Sequence, residues 1–226
     1  MSHRTKSLDP LSGSLSVIRE MRYHEASRQL LGLLLAVLFV VIAQPIPWVL
    51  YAATVLVVTG VGIRLWASGF IIKNEELATN GPYALVRHPL YVGNILIIFA
   101  FAAASGLWWT LLIVIAFLSF YYPTAIEYED RKLSMMFGDT WREFAKHTPA
   151  LLPALSSRNR DIGGQWSFKK SLTNNLELII TAFLLTCFFY NYVRRSRTDL
   201  EVTTPRCISA GALPPTVRAR RRRRQQ

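Results

Sequence analysis

Asn80-Gly81-Pro82-Tyr83-Ala84-Leu85-Val86-Arg87-His88-Pro89-Leu90-Tyr91-Val92-Gly93 crowds an arginine, one of the chain's four histidines, two tyrosines and two prolines between two long apolar segments. Such a stretch is more than a connector. Pro82 and Pro89 fix φ and push the residue before each out of the helical region, so Gly81-Pro82 reads as a turn and His88-Pro89 as an extended entry into a helix. The polar groups are thereby held at a membrane edge.

Upstream, Trp48 to Ile72 is an apolar run long enough to cross a hydrocarbon layer of about 30 Å. Arg64 is its one charge. Two readings stand for it, a cation that snorkels towards the nearby interface or one that holds an anionic group of a cofactor or substrate. Gly60 and Gly62 would let another helix approach closely. Before the turn Gln44-Pro45-Ile46-Pro47 comes a shorter apolar run, Leu30 to Ala43, preceded by Arg4, Lys6, Arg19, Arg22 and Arg28. No small-residue cleavage site follows that run, so it reads as an uncleaved anchor.

Downstream, Tyr91 to Ala104 and Leu107 to Ala125 form a helical hairpin about Ser105-Gly106, with Trp108 and Trp109 where an aromatic belt is expected. The second of these helices continues past the membrane through Glu127, Glu129, Asp130, Arg131 and Lys132 to Phe137-Gly138, where glycine suits a helix end. Asp139 to Phe144 reads as a further amphipathic turn, and Pro149 to Pro153 closes the unit.

With 51% hydrophobic residues among 226 and a mean hydropathy of +0.25, the chain exceeds what soluble domains carry. The fold class expected is all-α, a polytopic integral membrane protein with four transmembrane helices and a fifth, short apolar helix near the C-terminus. The organisation expected is a polar N-terminal segment 1–27, a membrane domain 28–153, a linker 154–173, a short apolar helix 174–193 and a basic disordered tail 194–226. The net charge of +12 does not point to nucleic acid, because ten of the 26 Lys and Arg follow Val193 and Arg220 to Arg224 form one run. A terminal run of that kind meets anionic lipid or stays solvated. Two cysteines, Cys187 and Cys207, give neither a disulfide framework nor a metal-binding spacing.

Cations cluster before the first helix, in the loop at Lys73 and Arg87, and between Arg131 and Lys170, whereas the turns 44–47 and 105–107 contain none. The positive-inside rule then places the loop and the acidic helix end in the cytoplasm, in a bacterial inner membrane or the endoplasmic reticulum. A fifth span would send the arginine-rich tail outward, so 178–190 is expected to lie along the interface or re-enter.

Two polar clusters far apart in sequence therefore meet one interface: Glu75-Glu76 with Tyr83, Arg87, His88 and Tyr91, and Glu127, Glu129 and Asp130 with Arg131. Arginine offers a fork for a carboxylate, the acids accept from an ammonium group, and tyrosine faces can flank an adenine or attract a cation. A zwitterionic, aromatic, cationic molecule such as S-adenosylmethionine suits the set. Arg87 is the group expected to orient an anionic acceptor or the cofactor carboxylate. Glu129, Asp130 or Glu127 would take the proton if the acceptor were an amine.

Gly81-Pro82-Tyr83, Arg87-His88-Pro89-Leu90-Tyr91-Val92-Gly93, the hairpin, then Glu129-Asp130, Phe137-Gly138, Trp141, Phe144 and Pro153 resemble the isoprenylcysteine carboxyl methyltransferase family and its phospholipid methyltransferase relatives, over roughly 73–153. The resemblance implies an integral membrane enzyme that binds S-adenosylmethionine on the cytosolic side and methylates a membrane lipid or a lipidated acceptor. It puts cofactor-binding positions at Glu75, Glu76, Leu77, Ala78, Tyr83, His88, Pro89, Leu90, Tyr91 and Glu129; catalytic roles are expected of Arg87, Glu129 and Asp130 from their chemistry. The chain departs from the prenylcysteine enzymes in having Glu75 in place of a histidine and Ala125 in place of a substrate-contacting arginine. A carboxylate acceptor is the leading expectation; a phospholipid amine is the alternative. Arg-His-Pro-x-Tyr with Gly-x-x-Trp also resembles the C-terminal pattern of sterol reductases that bind NADPH, and a non-catalytic membrane scaffold is the third reading.

Overall fold

The computed structural model describes residues 13–71, 76–153, 163–164, 166–167 and 177–203, with side chains in the last stretch described from Thr181 to Arg194. Every regular element among these is helical. In order they are α1 (Ser14–Tyr23), α2 (Glu25–Val41), α3 (Pro47–Ser68), a 3-10 turn (Gly81–Ala84), α4 (Pro89–Ala104), α5 (Trp108–His147) and α6 (Glu177–Thr203). The chain divides into two units, Met1–Asn191 and Tyr192–Gln226. The first holds the bundle; of the second, the end of α6 is described. The linker expected at 154–173 falls mostly outside the described residues, as does the tail beyond Thr203.

Local sequence sets the helix limits. Pro47 and Pro89 occupy first-turn positions, where a missing N–H costs nothing, and open α3 and α4. His24 accepts from the Ser27 amide and caps α2. Two helices, α3 and α5, are long and apolar enough to cross a membrane, and a third span arises if α1 and α2, bent by 74°, count as one. That is two or three candidate spans where four were expected. The difference is length, because α4 is predominantly apolar yet has 16 residues, about 24 Å at 1.5 Å per residue.

The turn at Gln44 and the turn at Ser105 meet, the Gln44 amide donating to the Ser105 carbonyl at 2.7 Å. Both cation-free turns therefore sit at one end, and α3, α4 and α5 carry their polar ends at the other. Ser105 and Thr110 fasten that first end, each hydroxyl donating to the Ala102 carbonyl. α1 docks on α5, where Arg22 Nε donates to the Phe120 carbonyl at 2.9 Å and Thr124 Oγ1 donates to the Arg22 carbonyl.

α3 and α4 make the closest helix contact, at Gly60 and Gly93. A Cβ on Gly60 would lie 2.8 Å from the Gly93 carbonyl oxygen, whereas a Cβ on Gly62 would meet nothing within 4 Å. One of the two glycines expected to admit a neighbour does so, and the other faces outward. Gly60→Ala is accordingly expected to lower stability by about 1–3 kcal/mol, and Gly62→Ala to stay within about 0.5 kcal/mol of wild type. Thermal unfolding of the two variants in one detergent checks this; equal losses would contradict the packing described.

α5 has 40 residues in two segments that meet at a kink at Gly138; the stretch before the kink alone is about 45 Å long and runs past the hydrocarbon layer of about 30 Å. Gly138 ends the regular helix as expected: its φ of 55° and ψ of −124° are non-helical, and a second helical segment follows across the kink to His147. The segment beyond the kink turns Trp141 inward, where it is buried. α6 is longer than the apolar run of about 13 residues suggested, and continues past 193 to Thr203. Thr181, Leu184, Phe188 and Asn191 form its buried face, and Phe188 meets Phe101 of α4 edge-on at 5.6 Å.

Candidate functional site

His88 is the residue before α4 and, with φ −124° and ψ 63°, lies outside the helical region, as the following proline favours. Its amide and that of Arg87 would be left without helical acceptors. The chain beyond α5 returns to supply them: Arg87 N–H donates to the Pro149 carbonyl at 2.8 Å and His88 N–H to the Ala150 carbonyl at 3.1 Å. Arg87 and His88 are thus clamped from behind, and their side chains point to α5.

There Asp130 receives both. Arg87 Nη1 lies 3.0 Å from Asp130 Oδ2, and His88 Nε2 lies 2.8 Å from Asp130 Oδ1. The side chains of Arg87 and His88 are only 18% and 5% exposed, so the pairing operates away from bulk water and holds the segment to α5. One position earlier on α5, Glu129 Oε2 accepts from the Tyr91 hydroxyl at 2.9 Å. His88 and Tyr91 stack at 5.5 Å, Arg28 of α2 lies 5.3 Å over the Tyr91 ring, and Arg87 lies 5.7 Å over Trp141.

A third pair stands beside these. Tyr23 donates to Glu127 Oε2 at 2.8 Å, and Arg131 lies over the Tyr23 ring at 5.7 Å. Burial, and after it the Glu127 carboxylate, push the Tyr23 phenol above its usual range, so Tyr23 keeps its proton and remains a donor.

The sequence-derived residues separate into two groups. Arg87, His88, Tyr91, Glu129 and Asp130 come together, with Pro89 buried and Leu90 half-buried at the start of the same helix. Tyr83 is buried in the 3-10 turn ahead of them. Glu75 lies outside the described residues. Glu76 is exposed, Leu77 and Ala78 are half-buried, and no contact of these three with the Asp130 cluster is found among the described residues. Ala125 is buried in α5. Sequence reasoning passed over Tyr23, Arg28, Asn94 and Tyr122; the one signal available was a polar group inside or at the edge of an apolar run.

The arrangement has unfilled capacity of a definite kind. Arg87 Nε is buried and has no hydrogen-bond acceptor among the described residues. Glu129 and Glu127 are exposed, and aromatic faces lie alongside. A donor facing inward, two open carboxylates and ring faces fit a zwitterion that carries a carboxylate, an ammonium and a further positive centre.

The sequence model described as phospholipid methyltransferase matches residues 29–140. Among curated proteins, the chain is 44% identical over 96 residues to the cobalt-zinc-cadmium resistance protein CzcN of Cupriavidus metallidurans, covering 41% of this chain and 44% of that one. It is 34% identical over 119 residues to the nickel-cobalt-cadmium resistance protein NccN of Alcaligenes xylosoxydans xylosoxydans, covering 50% and 55%. It is 33% identical over 92 residues to methanethiol S-methyltransferase 2 of Bradyrhizobium diazoefficiens, covering 41% and 34%. The chain spans about half or less of the length of these relatives. No solved structure matches.

Proposed function

We propose that this chain, whose residues 29–140 belong to the phospholipid methyltransferase family, transfers a methyl group from S-adenosylmethionine to a membrane-borne acceptor, foremost a carboxylate. The observation that carries this reading is the double clasp of α4 on α5, Arg87 and His88 to Asp130 and Tyr91 to Glu129. S-adenosylmethionine, when bound, supplies an electrophilic methyl on a sulfonium. Arg87 would bind the donor's carboxylate through Nε while Asp130 fixes the guanidinium plane. Glu129 would accept from its ammonium, and Tyr91 and Trp141 present ring faces.

Because displacement at a methyl carbon is in-line, the protein chiefly aligns the two reactants and excludes water. Both oxygens of Asp130 are already engaged, by Arg87 and His88. A carboxylate acceptor suits this arrangement, because its oxygen would take the methyl as the sulfur–methyl bond breaks, with no proton to remove. A thiol is the second reading, favoured by the similarity to a protein named methanethiol S-methyltransferase. CzcN and NccN are named for resistance to metal ions; among the described residues no group of three or more His, Cys, Asp or Glu is placed to hold one. The active end is taken to face the cytoplasm, in keeping with the placement of cations.

Membranes holding the protein, incubated with methyl-labelled S-adenosylmethionine and a total lipid extract, test the reading. Label released by base as volatile methanol is the expected result; base-stable label in a thioether supports the second reading. No transfer, with no binding of S-adenosylmethionine by titration calorimetry, would remove both.

A further inference from the structure

Arg64 stands four residues before the end of α3 at Ser68, about 6 Å inside that helix at 1.5 Å per residue. A snorkelling arginine would extend towards the helix end. This one does not. Its aliphatic stem crosses the bare face of Gly93, and its guanidinium is hydrogen-bonded to Asn94 of α4. Asn94 lies five residues inside α4 from Pro89, about 7.5 Å, so the charge is held at the depth of its own backbone.

Tyr91 lies one turn before Asn94 on the same face of α4, and its ring meets that of Tyr122 of α5 at 5.5 Å. Arg28 approaches Tyr91 from α2. Four helices thus contribute to one line of donors and rings that starts at Glu129 and runs about two turns into the bilayer. Arg28, Arg64, Tyr91 and Asn94 are half-buried rather than sealed, so they border a surface that a lipid-phase molecule can reach. Cations at membrane depth are costly to keep and mark paths for substrates or ions.

We propose that Arg64, Asn94, Tyr122 and Arg28 form an intramembrane site for the anionic end of a single-chain amphiphile, a carboxylate or a phosphate on an alkyl or prenyl tail. Arg64 supplies a fork for two anion oxygens, Asn94 fixes its plane, and Arg28 closes the site from the aqueous side. The tail lies along the apolar outer faces of the helices. The proposal relies on the methyl-transfer reading only for naming this ligand as the acceptor; the binding site stands without it.

The test uses the full chain in dodecyl maltoside micelles, without S-adenosylmethionine, and follows thermal unfolding by tryptophan fluorescence during titration with decanoate, decyl phosphate or decanol. Decanoate or decyl phosphate is expected to raise Tm saturably, and decanol to do so weakly or not at all; the tighter of the two anions identifies the group. In Arg64→Gln the apparent affinity for the anion is expected to fall at least tenfold, with partial recovery in Arg64→Lys. Should Arg64→Gln not fold, Arg28→Gln, at the rim of the cluster, is expected to weaken the same titration. Equal shifts with decanol, or unchanged anion affinity in the folded variants, would overturn the site. Calorimetric titration of the same preparations with S-adenosylmethionine tests the methyl-transfer reading separately, so that the two can fail independently.

Discussion

Asp130→Ala is expected to lower methyl transfer by at least 100-fold and to weaken S-adenosylmethionine binding, while the protein still assembles in detergent. The carboxylate sits between Arg87 and His88, at 3.0 and 2.8 Å. Its removal strands two largely buried donors. Losing one partner of a buried pair costs about 3–5 kcal/mol, and partial exposure of Asp130, at 24%, places this case near about 3 kcal/mol or below. The catalytic effect exceeds the stability effect for a geometric reason. The backbone of Arg87 and His88 stays clamped by the Pro149 and Ala150 carbonyls, but their side chains lose the group that aims them, and a misplacement of about 1 Å costs about 100-fold in an alignment-driven reaction. Asp130→Asn separates the contributions, since the amide oxygen can accept from one partner and its NH2 repels the other. Its activity should lie between those of wild type and Ala. Label transfer, calorimetry and unfolding read out the three quantities; wild-type transfer in Asp130→Ala would remove this residue from the site.

Much of that site was readable in the chain because proline restricts backbone so strongly. His88-Pro89 specifies an extended residue and then a helix start; α4 does begin at Pro89, while His88, with φ −124° and ψ 63°, is non-helical but short of the extended region. The carboxylates of α5 were assigned to the same interface because a short hairpin returns the chain to where it began, and the contacts of Asp130 and Glu129 bear this out. What escaped was the partner of each polar group inside an apolar run. Composition shows that Arg64, Asn94 and Tyr122 are polar, but their pairing depends on how α3, α4 and α5 rotate about their axes, and that rotation is settled by packing. Gly60 and Gly62 illustrate the point: two residues apart, they face about 200° apart on a helix, and sequence alone gave no reason to prefer one. Length separates the apolar runs: α3 and α5 reach the length of a span, α1 and α2 bend by 74°, and α4 has 16 residues although it runs between the same two ends of the bundle as α3.

Gly93→Leu is expected to abolish recovery of monodisperse protein, and Gly93→Ala to cost more than Gly60→Ala. A Cβ at position 93 would lie 2.6 Å from Arg64 Cγ and 2.7 Å from the Gly60 carbonyl oxygen. The first neighbour belongs to a long side chain and can yield. The second is helix backbone, and it can yield only if α3 and α4 separate, losing the close van der Waals contact that drives helix association in a membrane. Separation also pulls the Arg64 guanidinium from Asn94 and tilts the start of α4, where His88 and Tyr91 contact α5. Gly93→Ala is therefore expected to weaken anion binding by the Arg64 cluster in addition to lowering Tm. The double variant Gly93→Ala with Arg64→Ala apportions the strain. If the backbone approach is limiting, removing the Arg64 side chain restores only part of the lost stability, because the Gly60 oxygen still stands in the way. Complete restoration would mean that the glycine serves the arginine alone, and that the two helices have room to spare.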